Sequence, residues 1–371
     1  MNTSKAPIPY TPSVEQMESD EPQTIEDIDA TMTKIRETTF ENSGHAMRSV
    51  HVKSHGALRV TVTVEPGLPA AYAQGLFAAP GRYEAVLRFS TNPGDLLDDN
   101  ISVPRGAALK IVGVDGERLP GSEADRTQNF VLVDSPVFNA PNAKKFLGSL
   151  KPTAATTDKV EGLKKAVSAT AQLAERIVEA FGGESAKLVS FGGHKKTHVL
   201  GHTFFSAAAH RHGAHVAKIA LAPVSPELRA LTDETVDLDG RPNGLREDLV
   251  AFMRAHRAEW ALQVQLCTDL GAMPVEDASV EWKTDESPYV TVARVVAEPQ
   301  AAWSDAIAAA VDDGMFFSPW RGLAAHRPLG NVMRARRIPY ERSAQFRAAR
   351  NGKPVDEPKE LTSALGTPIA G

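Results

Sequence analysis

Leu58, Val60, Val62 and Val64 alternate strictly with Arg59, Thr61 and Thr63, and the pattern returns at Tyr83, Ala85, Leu87 and Phe89 against Glu84, Val86, Arg88 and Ser90. Side chains on a strand point alternately to opposite faces, so a period of two commits each segment to a half-buried β-strand. Further strand candidates are residues 107–113, 129–134, 200–207, 215–221, 260–267 and 289–296. Some eight strands of this kind are compatible with an antiparallel barrel.

Helical spacing appears in three places. Val160, Leu163, Val167, Leu173, Ile177, Val178 and Phe181 form one apolar stripe that Gly182 and Gly183 stop. Leu245, Leu249, Phe252 and Met253 mark a helix over 243–257, and a third is expected from Leu329 to Ala349. The expected fold is therefore α+β, an antiparallel eight-stranded β-barrel with appended helices, without repeats or a second domain. Residues 1–25 and 352–371 are polar and contain prolines, which predicts flexible ends around one domain at 26–351.

Composition narrows the chemistry. A chain of 371 residues can bury a sizeable core, and a net charge of -5 leaves no basic footprint for nucleic acid. A single cysteine, Cys267, excludes an internal disulfide, fits a reducing compartment and reads as a small core residue. No segment approaches the roughly 20 apolar residues a membrane span needs, and the N-terminus has no signal-like apolar run. The expectation is a cytoplasmic protein acting on a small molecule, with a second copy of the chain the only macromolecular partner left open.

Near the C-terminal end, Arg336, Tyr340, Ser343 and Arg347 form the pattern R-x-x-x-Y-x-x-S-x-x-x-R. Cations within a turn of a phenol favour its ionised form, and a phenolate is a hard ligand for ferric iron. Arg48-Ser49-Val50-His51-Val52-Lys53, Leu87-Arg88-Phe89-Ser90-Thr91 and Pro104-Arg105-Gly106-Ala107-Ala108-Leu109-Lys110 precede it in that order. Together these four segments resemble the haem catalases, over about His45 to Asn351.

The resemblance implies haem b as cofactor inside an eight-stranded barrel. It makes Tyr340 the iron ligand, supported by Arg336, and gives the haem propionates to Arg48, Arg88 and Arg347. It makes His51 the acid-base residue that moves the peroxide proton, with Ser90 fixing its tautomer, and it sets Phe138 on the porphyrin and His215 near its periphery. The implied activity is that of a haem peroxidase or catalase, reducing hydrogen peroxide or an organic hydroperoxide through a ferryl intermediate, with an organic reductant in the peroxidase case. Conversion of fatty-acid hydroperoxides is a related alternative, although Val50 before His51 favours the peroxide-decomposing branch. A haem-binding protein without turnover is the alternative from another class.

Three departures bear on this. The family's distal asparagine falls at Asp125, which passes the catalytic role to Asn129 or to Gln128. Pro339 interrupts the helix between Arg336 and Tyr340. Only 31 residues follow Tyr340, so the helical C-terminal region of large catalases, with its support for NADPH, is not expected. A rival zinc reading of His194, His198 and His202 fails on the glycines that break the helix it needs and on the absence of a carboxylate in that window.

Overall fold

The computed structural model describes residues 5–92, 94, 96–155, 196–361, 363 and 365. The helix expected over 160–181 lies outside them. Strands β1 (Lys53–Val64), β2 (Arg82–Thr91), β3 (Arg105–Val112) and β4 (Thr127–Val133) form an antiparallel meander. The second half brings β5 (Phe204–Phe205), β6 (His210–His212), β7 (His215–Pro223), β8 (Ala258–Leu266) and β9 (Val290–Ala297). Pairing runs β5-β4-β3-β2-β1-β9-β8-β7, and β5 closes the circle on β7. The start of β7 instead pairs with β6, so one side of this strand has two successive partners. The result is the expected closed barrel of eight antiparallel strands, with β6 as an extra hairpin arm.

Strand parity explains the two sides of the wall. Leu87 and Phe89, Ala107 and Leu109, and Phe130 and Leu132 point inward with Trp260, Leu262 and Ile219. Phe89 lies 5.7 Å from Phe204 and 6.0 Å from Trp260, ring centroid to ring centroid. Each of the larger side chains contributes about 1.5–3 kcal/mol by leaving water, so the interior is a packed core. The alternate residues Arg88, Ser90, Gly106, Val131 and Val133 face outward. Arg88, Ser90 and Gly106 are buried as well and Val131 and Val133 half-buried, because helices cover this part of the wall.

The cover comes from α1 (Glu21–Ser43), α2 (Ala143–Ala155), α6 (Asn331–Arg334) and α7 (Arg337–Asn351); α3 (Pro226–Ala230), α4 (Gly244–Ala255) and α5 (Asp305–Ala308) lie between. Helix α1 begins with Pro22 in its first turn and ends at Gly44, whose φ of 69° suits a left-handed stop. Its stripe of Ile28, Met32 and Ile35 packs on Leu147, Leu150 and Ala154 of α2. The helix expected over 329–349 is two helices, α6 and α7, separated by Ala335 and Arg336. Of the strand expected over 200–207 only two residues pair. Residues Val199–Gly201 form a tight turn instead, capped by the His198 Nδ1 that accepts from Leu200 N at 3.2 Å.

Described residues near both ends make specific contacts. Ile8 N donates to Cys267 O and Tyr10 N to Ala214 O, each at 2.7 Å, while Ile8, Tyr10 and Val14 pack against Cys267, Met273 and Trp282. Glu15 and Glu21 join Glu276 around the Arg334 guanidinium. At the other end Glu357 meets the buried Lys110 and accepts from Thr127 Oγ1 at 2.6 Å, and Leu365 is 1% exposed. Overall polarity concealed a few apolar side chains and carboxylates that have specific partners. Among the described residues no helix is long and apolar enough to cross a membrane.

Candidate functional site

Between the outer wall of the barrel and the helical cover lies a cavity of about 950 Å³, its mouth included. Ile28 and Met32 of α1, Ala143 and Phe146 of α2, Val332 of α6, Phe138 and the outward Val131 and Val133 make it mostly apolar. His51 enters from the barrel side, and Tyr340 with Arg336 from the helical side. A smaller lobe beside Tyr340 and Val50 is lined by Arg48, Arg347, Phe316 and Phe317. An apolar cleft with a few convergent polar groups is the usual form of a cofactor site.

His51 sits at a bend just ahead of β1, with a φ of 54° that few residues other than glycine adopt. Arg88 Nη2 donates to its carbonyl oxygen at 2.9 Å, which holds that conformation. Ser90 Oγ meets His51 Nδ1 at 3.3 Å, leaving Nε2 as the nitrogen Ser90 does not engage. Burial, then the nearby Arg88, Arg336 and Arg48, push the imidazole down to about 3. It is neutral near pH 7. Of three non-glycine residues with positive φ among those described, His51 and Ala207 both line this cavity. Strain of this kind collects at functional sites.

Gly106 provides the floor under the imidazole. A Cβ there would come within 2.6 Å of His51 Cε1 and 2.7 Å of Nδ1. Gly106→Ala is therefore expected to displace the ring and destabilise by roughly 1–3 kcal/mol through overpacking. Gly148 in α2 supplies the control, since nothing lies within 4 Å of a Cβ added there. Gly148→Ala should stabilise slightly, by up to about 1 kcal/mol. Melting curves of the two variants should shift in opposite directions.

On the helical side Arg336 Nη2 donates to Tyr340 Oη at 2.9 Å, and its guanidinium lies 5.1 Å from the ring centroid. Pro339 does not prevent this, because Arg336 caps α7 and Pro339 falls in the first turn, where a missing N–H costs little. Arg336 Nη1 also reaches Met333 Sδ at 3.3 Å. Phe138 lines the cavity, tilted against Phe146 at 5.2 Å between centroids.

The three arginines are together, in a different arrangement from the expected one. Arg88 does not line the cavity. It lies behind His51, with Nε 2.6 Å from Asp312 Oδ1. Arg48 donates to the carbonyls of Val311 and Met315 at 3.0 and 2.9 Å, and Arg347 to those of Asp312, Asp313 and Met315 at 2.5, 3.1 and 3.3 Å. These acceptors belong to a π-helical turn, Ala309–Asp313, and its exit. Burial pushes the Asp312 carboxyl up, but Arg88 and Arg48 outweigh it and hold the group below its ordinary value.

Asn129 is outside the cavity. Alternation on β4 gives its side chain the same face as Val131 and Val133, but only those two reach the site, and Asn129 lies further along, opposite Lys110. Gln128 is occupied elsewhere, accepting from Leu323 N, and Asp125 pairs with Arg321 at 2.8 Å. Asn92 lines the cavity instead, and its Oδ1 is buried without a hydrogen-bond partner. Its place just past the end of β2, two residues after Ser90, was the available signal. His215 belongs to the β6–β7 hairpin, bridged to Pro9, and does not line the site. His198 and His202 occupy a turn near Arg105, His194 lies outside the described residues, and no group of three or more metal-binding side chains occurs among those described.

No protein-family model matches the sequence, and no curated protein matches it significantly. Solved structures do. A fungal catalase aligns over 90% of this chain and 68% of its own at 17% identity, with a TM-score of 0.59. Catalase A from Saccharomyces cerevisiae aligns over 84% of this chain and 63% of its own at 17% identity and the same score. A bacterial catalase covers 100% of this chain and 67% of its own at 14% identity, again at 0.59. The chain spans about two thirds of the length of these catalases and shares their fold.

Proposed function

We propose that the protein is a haem-dependent peroxidase or catalase. One observation carries the reading: His51 backed by Ser90, and Tyr340 backed by Arg336, enter one apolar cavity from its two sides. The donor set suits haem b in three ways. Tyr340 supplies an oxygen ligand of the kind ferric haem accepts. Arg48 and Arg347 line the adjoining lobe, where the buried Nε of Arg347 has no acceptor, as a carboxylate-bearing ligand would require. Phe138 and the aliphatic walls offer the apolar faces a flat macrocycle needs.

When bound, haem iron supplies the redox chemistry that lets a peroxide O–O bond be cleaved. The chain itself handles the protons. The Ser90 hydroxyl accepts from Nδ1–H of His51, so Nε2 is free to take the proton from one peroxide oxygen and deliver it to the other, which leaves as water. Arg336 stabilises negative charge on the Tyr340 oxygen by donating to it. Asn92 is in the same cavity to hold the peroxide by hydrogen bonding.

The direct test is an absorption spectrum of protein expressed with ample haem. A Soret band with high-spin ferric features is expected, and Tyr340→Ala should lose most of the bound haem while keeping the fold by circular dichroism. A colourless wild-type protein would remove the reading. Retention of an unchanged spectrum in the variant would remove Tyr340 as the ligand.

A further inference from the structure

Arg88 and Arg347 are 3% and 2% exposed, and the Arg48 side chain 14%. Guanidiniums stay charged at any ordinary pH, so three packed together repel one another and call for anions. Among the described residues Asp312 is the only carboxylate in ion-pair range of Arg48 or Arg88, at 3.4 and 2.6 Å, and none reaches Arg347. The neighbouring Asp313 turns its carboxylate to His45 at 2.9 Å. At contact range three cations have one counter-ion, with Asp313 acting on Arg48 and Arg347 from further off, so positive charge is left in surplus.

Asp312 does not line either lobe, whereas Arg48 and Arg347 line the smaller one. The carboxylate therefore sits behind the cations, and the surplus faces the space a ligand would use. Its position is fixed, because Val311 and Met315 on either side pack with Ala57, Val86 and Ala108 of the barrel wall. A π-helical turn departs from regular helix geometry and often marks a functional position. Here it aims one carboxylate and four backbone carbonyls at three guanidiniums.

We propose that Asp312 is a built-in counter-ion that trims the buried arginine cluster to the charge of a dicarboxylate, so that the cavity selects a porphyrin with both carboxylates free. The inference rests on the haem reading for its ligand. Asp312 is a positioning residue in this account and touches no reacting atom.

The test compares wild type with Asp312→Asn as apoprotein and with metal-free protoporphyrin IX or its dimethyl ester. Omitting the metal separates the carboxylates from any bond to Tyr340. Apoprotein melting should fall by roughly 5–10 °C in the variant, as expected when one partner of a buried ion pair is removed. Protoporphyrin IX should recover at least half of that loss, and the diester none. Equal losses in all three states would overturn the proposal, as would recovery by the diester. If Asp312→Asn does not fold alone, Arg88→Gln/Asp312→Asn, which removes one cation with the anion, should fold and melt above the single variant; a double variant no better than the single would also overturn it. Absence of porphyrin binding by wild type would refute the haem reading, while the apoprotein and double-variant comparison still decides the role of Asp312.

Discussion

Replacing His51 by alanine is expected to leave haem uptake intact and to slow the reaction with peroxide by roughly 10²-fold or more, the usual contribution of a positioned acid-base group. His51 faces Tyr340 only across the cavity, so on the proposed reading the haem spectrum of the resting protein should change little. The loss should appear in the rate at which peroxide perturbs that spectrum. The pH profile sharpens the test. Burial, Arg88, Arg336 and Arg48 together hold the imidazole down to about 3, so the base is available throughout the neutral range. The rate in wild type should be flat from about pH 5 to about pH 8, without the step near 6.5 that an ordinary histidine would give. A variant that reacts at the wild-type rate, or a clear step near 6.5 in wild type, would return His51 to a structural role.

Most of the barrel was legible because its signal is local. A half-buried strand must alternate, and β1, β2, β7, β8 and β9 alternate over long enough runs to be read. What failed was short or depended on distant partners. β6 has three residues and is defined by its pairing with β7. Helix α1 carries its stripe of Ile28, Met32 and Ile35 among acidic residues and threonines, which mask a helix as a polar tail.

The site divides the same way. His51, Ser90, Phe138, Arg336 and Tyr340 stand in short motifs, and the structure brings four of them to one cavity, with Ser90 behind His51. Asn129 was a stand-in for the family's distal asparagine, which falls at Asp125, and a motif position cannot say how far a cavity extends over a barrel wall. Arg88 shares its outward face with Ser90, as strand parity required. Its partner Asp312 lies 224 residues away and could not be inferred from either segment. Asn92 was missed for a related reason, since an asparagine past a strand end reads as a turn residue until a cavity is found around it.

Acid should destabilise this protein before most of its carboxylates are protonated. His51, His210 and His212 are held at about 3, about 3 and about 4 by burial, and His55 and His326 are pushed well below their ordinary range for the same reason. The sign follows from proton counts: below about 6.5 the unfolded chain binds protons at these sites and the native state does not, so stability falls as pH falls. From pH 7 to 4.5 each of the first three costs roughly 2–3 kcal/mol, together about 8. Raised carboxyls oppose this, Asp99 among them, and Asp134 most clearly. Burial raises the Asp134 carboxyl to about 7, so the native state takes up its proton first and regains about 3 kcal/mol over the same interval. The net loss of about 5 kcal/mol is comparable to the whole stability of many domains. Urea unfolding at pH 7 and near 5 should therefore show a sharply reduced midpoint at the lower pH. His210→Gln or His212→Gln, neither of which titrates, should each flatten that dependence by close to one proton per molecule. A midpoint unchanged between pH 7 and 5, or variants with the wild-type slope, would mean that these histidines take up protons in the native state and that burial does not govern their charge.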